Sequence, residues 1–262
     1  MGENIIPTSN AFISITDADY ATLPFILKAT QAAGRVTRQK IYIVDFCKRK
    51  FVYVSDDLMH LCGLTREDVQ SMGFDFYEKH IPTADRGKLH DIITKASSFC
   101  DHLIKNGKKQ FTIFCDFNLC HEGKTQLINH QVTPITIRDG RPWLVLCSIS
   151  LSPNKGTGNL VVKENDSKVL YKHTNNPDRW IAVKTRELRK IEHDILRMSA
   201  QGMTMNDIAS ALCKSPDTIK SCKQNIFDKT NATSISEAIT FCQTYGCLFI
   251  EDVAEAHNEI PL

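Results

Sequence analysis

The stretch Leu188–Cys242, LRKIEHDILRMSAQGMTMNDIASALCKSPDTIKSCKQNIFDKTNATSISEAITFC, decides how the end of this chain folds. It reads as four short helices. Leu188, Ile191, Ile195 and Met198 recur at the three-or-four spacing of an amphipathic helix, and Gly202 is placed to end it. Thr204 with Asp207 at its third position forms a near capping box ahead of Ile208, Ala209 and Leu212. Ser215-Pro216 starts the third helix: the serine oxygen accepts orphan N–H groups, and proline's missing donor costs nothing at a first helical position. Ser234-x-x-Glu237 opens the fourth, carrying Ala238, Ile239 and Cys242, with Gly246 as a stop.

On a wheel advancing about 100° per residue, Cys222 and Ile226 fall close to Ile219. Asp217, Ser221, Gln224 and Asp228 point away, Lys220 sits on the flank, and Lys223 lies beside the apolar stripe, where its stem covers apolar surface. One face packs and the other presents small polar and cationic side chains. Two helices joined by a tight turn, the second so decorated, form a helix-turn-helix.

These residues resemble the LuxR/GerE-type DNA-binding domain. Glu192, Ile195, Leu196, Ala200-Gln201-Gly202, Ile208-Ala209, Leu212, Ser215-Pro216, Thr218-Ile219-Lys220, Asn225-Ile226, Lys229 and Glu237-Ala238 occupy that family's places in order. The resemblance implies double-stranded DNA as partner, with Lys220, Ser221 and Gln224 toward base edges. It leaves Thr204, Asn206, Thr218, Lys223 and Asn225 to phosphates. Two positions depart from the family: Cys222 stands where histidine is common, and Asp217 puts negative charge near the groove.

The 262 residues suggest two domains, and 42% hydrophobic with 24% charged residues is an ordinary globular composition. A net charge of +2 is nearly neutral, so any DNA affinity comes from local placement of Lys220 and its neighbours and is modest per monomer. The N-terminus lacks a basic segment followed by an apolar run, and no stretch approaches the length of a membrane span, so the expected compartment is the cytoplasm. The ten cysteines include no Cys-x-x-Cys and no His pair at finger spacing; buried free thiols are expected rather than zinc or disulfides.

Residues 1–39 hold one helical candidate, capped near Thr16-Asp17 and running through Ala21, Leu23, Phe25, Ile26, Leu27 and Ala29 to a stop at Gly34. Its apolar residues almost encircle it, which implies packing on a neighbouring element or a second subunit. From Lys40 the period becomes two. Ile41–Phe46 and Phe51–Ser55 make a hairpin about Cys47-Lys48-Arg49-Lys50. Short helices follow at Asp56–Cys62, after Thr65, and at Phe74–His80. A long helix opens at Thr83 and stops at Asn106-Gly107. Three strands close the unit, Gln110–Cys120, Gln126–Ile137 and Trp143–Leu151, turning at His121-Glu122-Gly123 and Arg138-Asp139-Gly140.

This order resembles a PAS domain, and Ile81-Pro82-x-x-Asp85-Arg86 looks like that family's usual start of the long helix. The expected fold class is therefore α+β: a PAS-like antiparallel five-stranded sheet with helices over 40–152, then an all-α four-helix helix-turn-helix domain over 185–247. Residues 153–184 read as a linker, from Ser152-Pro153-Asn154-Lys155-Gly156-Thr157-Gly158, with a hairpin of Leu160–Lys163 and Val169–Lys172. Residues 248–262 read as an acidic tail. Ile41-Tyr42-Ile43-Val44-Asp45 also resembles the first strand of a receiver domain, but receivers alternate strand and helix. Asp45 is accordingly a strand-end residue and not a phosphoacceptor. A haem has only His90 on the long helix to bind it, and no cofactor is expected.

The expected protein is a transcription regulator, a PAS-like sensor or dimerisation domain controlling a LuxR-type reader. It works as a homodimer, with an unidentified small-molecule ligand in the PAS-like domain and no catalytic residues. Two alternatives stand beside it. One is a protein-interaction regulator whose helix-turn-helix is held closed or does not bind DNA. The other is an enzyme using a Cys/His pair, for which no cysteine shares an adjacent basic or helix-start setting with a histidine in the sequence.

Overall fold

The computed structural model describes residues 15–37, 40–55, 63–165, 167, 169–230, 232–245 and 248–250. The helix expected at Asp56–Cys62, the stop at Gly246 and the tail beyond Ile250 lie outside these residues. The chain divides into two compact units, one up to Asp166 and one from Ser167 on.

The first unit begins with α1 (Asp17–Tyr20) and α2 (Leu23–Thr37). One continuous helix was expected; the chain instead breaks at Ala21–Thr22, and Pro24 sits in the first turn of α2, where its missing N–H is harmless. Gly34 does not stop the helix. It is buried inside α2, and a Cβ there would come within 3.3 Å of Ile41 Cδ1 and of the Tyr53 hydroxyl. Its glycine serves close approach to the sheet.

Two strands, β1 (Lys40–Asp45) and β2 (Lys50–Val54), precede α3 (Arg66–Met72), α4 (Asp75–His80) and the long α5 (Thr83–Lys105). Thr65 and Asp68 cap α3 reciprocally. Then come β3 (Phe111–His121), β4 (Lys124–Arg138), β5 (Arg141–Leu151) and β6 (Leu160–Glu164). Glu122-Gly123 and Asp139-Gly140 all have positive φ, which matches two-residue hairpin turns to the twist of the strands they join. The order is β2-β1-β5-β4-β3-β6, antiparallel throughout.

The five-stranded count is therefore corrected: β6 extends the sheet by pairing with β3, Phe111 opposite Glu164 through Cys115 opposite Leu160. Residues 152–159, glycine- and proline-rich, are tied down on the way. The buried Asp116 carboxylate accepts from Asn129 Nδ2 at 2.8 Å and Asn154 Nδ2 at 2.6 Å, and Asp116 N–H donates to the Asn159 carbonyl. Burial pushes the Asp116 pKa up.

Phe111, Phe117, Ile128 and Val145 of the sheet and Leu89, Ile92, Phe99 and Leu103 of α5 are buried, and Phe111, Phe117, Val145, Leu89 and Ile92 line one shared cavity. Asp45 is wholly buried and saturated with donors: Tyr20 Oη at 2.8 Å, Lys48 N at 3.0 Å and Trp143 Nε1 at 3.2 Å. An antiparallel sheet and an inaccessible carboxylate agree in excluding a phosphoacceptor.

The second unit opens with the hairpin of β7 (Val169–Asn175) and β8 (Asp178–Glu187), and β8 also pairs with β9 (Leu248–Ile250). Neither β8 nor β9 was expected. Four helices follow, α6 (Lys190–Ala200), α7 (Met205–Ala211), α8 (Pro216–Thr230) and α9 (Ile235–Tyr245). Their shared core is Leu188, Ile195, Leu196, Ile208, Ala209, Ile219, Cys222, Ile226, Ala238 and Cys242. Among the described residues no helix is long and apolar enough to cross a membrane, and no His/Cys/Asp/Glu group has metal-site geometry.

Candidate nucleic-acid interface

The four helices are held by local devices that set the pose of α8. Gly202, at φ 81°, ends α6 in a Schellman turn, Met203 N–H to the Met198 carbonyl and Gly202 N–H to Ser199. The turn after α7 repeats the pattern without glycine: Lys214 N–H reaches the Ala209 carbonyl, Cys213 N–H reaches Ser210, and Cys213 takes φ 51°. Ser215 Oγ then accepts the Thr218 N–H at 3.2 Å, the cap expected from Ser215-Pro216. The Glu237 carboxylate reaches back to Thr233 N–H and Oγ1 at 2.6 and 2.9 Å, while Ser234 Oγ accepts from Glu237 N, so the α9 start is shared by two residues.

An ion network around one buried carboxylate ties α6 to α8. Glu192, wholly buried, accepts from Arg189 N, Nε and Nη2 and from Lys229 Nζ at 2.7 Å. Burial alone would raise the Glu192 pKa; the Arg189 and Lys229 contacts overcome it and hold the carboxyl below its ordinary range.

Helix α8 buries Ile219, Cys222, Ile226 and Thr230. Thr218, Lys220, Ser221, Gln224 and Asn225 stand exposed, and Lys223 is half-buried. Cys222, where the family favours histidine, packs in the shared core. Thr218 Oγ1 lies 2.9 Å from Ser215 Oγ, so one of these two hydroxyls keeps a free donor. Thr204 and Asn206 are exposed at the start of α7, but both Thr204 donors go to Asp207 Oδ2, N–H at 3.0 Å and Oγ1 at 2.6 Å. Thr204 therefore serves the cap. Asp228 was absent from the expected set; it accepts from Gln224 Nε2 at 2.8 Å.

Residues 187–242 match the family described as bacterial regulatory proteins, luxR family. They are a LuxR-type helix-turn-helix domain. No curated protein sequence matches the chain. Among solved structures, the phage VqmA–DPO complex is 17% identical over 94% of this chain and 98% of that one, with a TM-score of 0.33. The Vibrio cholerae VqmA dimer without target DNA is 15% identical over 79% and 83%, at 0.30, and the Vibrio cholerae VqmA–ligand–DNA complex 12% identical over 95% and 96%, also at 0.30. In the LuxR-type domain the motif residues Glu192 and Lys229 are the two ends of the buried ion pair between α6 and α8.

The first unit holds a cavity of about 140 Å³ between α5 and the sheet, walled by Phe74, Leu89, Ile92, Phe117 and Val132, with Tyr77, His130, Ser97, Asp101 and Arg141 among its polar lining. Tyr42 Oη joins them, 2.8 Å from Tyr77 Oη and 2.6 Å from His130 Nε2. Burial pushes the His130 pKa down to about 4, leaving it neutral at pH 7, and pushes both tyrosines up. Sequence reasoning singled out His90, which does not line the cavity, and missed His130, whose only signal was a polar residue on the inward side of an alternating strand.

Proposed function

We propose that the chain is a DNA-binding transcription regulator in which a PAS-like first unit controls the LuxR-type reader, acting as a homodimer. The observation that carries this is α8 itself: it hides Ile219, Cys222 and Ile226 and leaves Lys220, Ser221 and Gln224 in solvent. In this reading those three meet base edges in the major groove, and Thr218, Asn206, Asn225 and Lys223 meet phosphates. Two copies place their reading helices about 34 Å apart, one helical turn of DNA.

The strand order β2-β1-β5-β4-β3, with helices between the second and third strands, supports the PAS-like assignment. Its cavity, close to the roughly 150 Å³ that accepts one benzene ring, supports a small, largely apolar ligand hydrogen-bonded at Tyr77. Phe25 and Val36 of α2, 78% and 84% exposed, support a second copy of the chain as partner. Asp217 and Asp228 on α8 favour the other reading, a reader turned toward proteins. Selection from a randomised duplex pool at fixed salt separates the two. DNA reading yields half-sites related by two-fold symmetry and centred about 10 base pairs apart. Failure to enrich any sequence from full-length protein leaves the protein-binding alternative.

A further inference from the structure

Gln224 and Asp228 lie one turn apart on the exposed side of α8, joined by the 2.8 Å bond from Gln224 Nε2 to Asp228 Oδ1. A carboxylate only accepts hydrogen bonds, so this contact decides which end of the amide faces Asp228: the nitrogen. One of the two N–H groups on Nε2 is committed there. The other remains, beside the free acceptor Oε1. A donor next to an acceptor is the pattern complementary to adenine in the major groove, whose N6 amino group donates and whose N7 accepts. Guanine presents two acceptors at that edge and would set its O6 against Oε1.

We infer that Asp228 is a positioning residue: it holds the Gln224 amide in the orientation that pairs with adenine and thereby sets base preference at one position of each half-site. This rests on the DNA-reading proposal above. Without Asp228 the exposed amide rotates freely and can turn its nitrogen toward guanine or thymine acceptors as readily as it reads adenine. Between exposed partners at this spacing a Gln–Asp bond biases the side chain by roughly twofold, which sets the size of the expected effect.

The test is selection from a randomised duplex pool, at one salt concentration, with wild-type full-length protein and the variants Gln224→Ala, Asp228→Ala and Asp228→Glu. Circular dichroism confirms that these exposed changes leave the helices intact. Gln224→Ala should remove an adenine preference at one position by about fivefold or more. Asp228→Ala should weaken the same position by about twofold or more and leave the others unchanged. Asp228→Glu, whose carboxylate likewise only accepts, should retain it. The inference is overturned if no adenine responds to Gln224→Ala. It is equally overturned if Asp228→Ala keeps or strengthens that preference, or if Asp228→Glu behaves as Asp228→Ala. A wild-type protein that enriches no sequence defeats the DNA reading itself, a separate outcome.

Discussion

Glu192 concentrates more charge chemistry than any other buried side chain of the helical domain, with Arg189 capping its own helix and Lys229 on α8. Removing it by Glu192→Ala leaves two cations that can hydrate, so the expected loss is about 1.5–3 kcal/mol, the range of hydrogen bonds to charged groups; urea unfolding at pH 7 measures it. Because its pKa is held below the ordinary 4.5, the stabilisation is full above that value and disappears as pH falls through the folded-state pKa. His130 acts over a different window. Its pKa, lowered from 6.5 to about 4 by burial, means the unfolded chain takes up the proton first, so stability of the first unit declines from pH 6.5 toward pH 4. Trp143 fluorescence in a Trp180→Phe background follows that unit, and a denaturation midpoint unchanged between pH 7 and pH 5 would contradict the assignment. Cys213 carries a left-handed φ of 51° where glycine usually ends a helix. Cys213→Gly should raise the thermal midpoint, by about 1 kcal/mol of relieved backbone cost.

At the level of elements, legibility followed locality. The starts of α3, α7 and α8 depend on Thr65/Asp68, Thr204/Asp207 and Ser215, each within three residues of the group it caps, and all three could be read directly. Gly34 could not, because what demands glycine there is Ile41 and Tyr53 across space rather than a helix end. β6 is legible as a strand, whereas its pairing with β3, about fifty residues earlier, is not. β8 was obscured by Asn175-Asn176-Pro177, which reads as a boundary and is a turn into the strand that follows. In the site, periodicity separated the hidden and exposed sides of α8, whereas the commitment of Thr204 to Asp207 and of Gln224 to Asp228 depends on rotamers that spacing does not specify. The two sides of α8 should respond differently: Ile226→Ala, at a fully buried position, should cost about 2–5 kcal/mol, and Lys220→Ala less than about 0.5 kcal/mol. Chemical denaturation of both variants checks the contrast.

For the molecule as a whole, a formal charge of +2 over 262 residues gives no general attraction to nucleic acid, so binding must depend on where a few cations stand and on pairing of two copies. If the first unit controls the reader through its cavity, filling that space should change DNA affinity without touching α8. Val132→Phe, which projects into the cavity, is expected to shift duplex affinity of the full chain, read by anisotropy at fixed salt. The most direct measurement of the central claim is a salt series: duplex affinity of full-length protein and of Lys220→Ala from about 50 to 200 mM salt. The account predicts that affinity falls linearly on logarithmic axes for both, with the variant weaker throughout and its slope shallower by about one if Lys220 meets a phosphate, or its base preference relaxed at unchanged slope if it meets guanine. Identical affinity, slope and preference in the two proteins would contradict it.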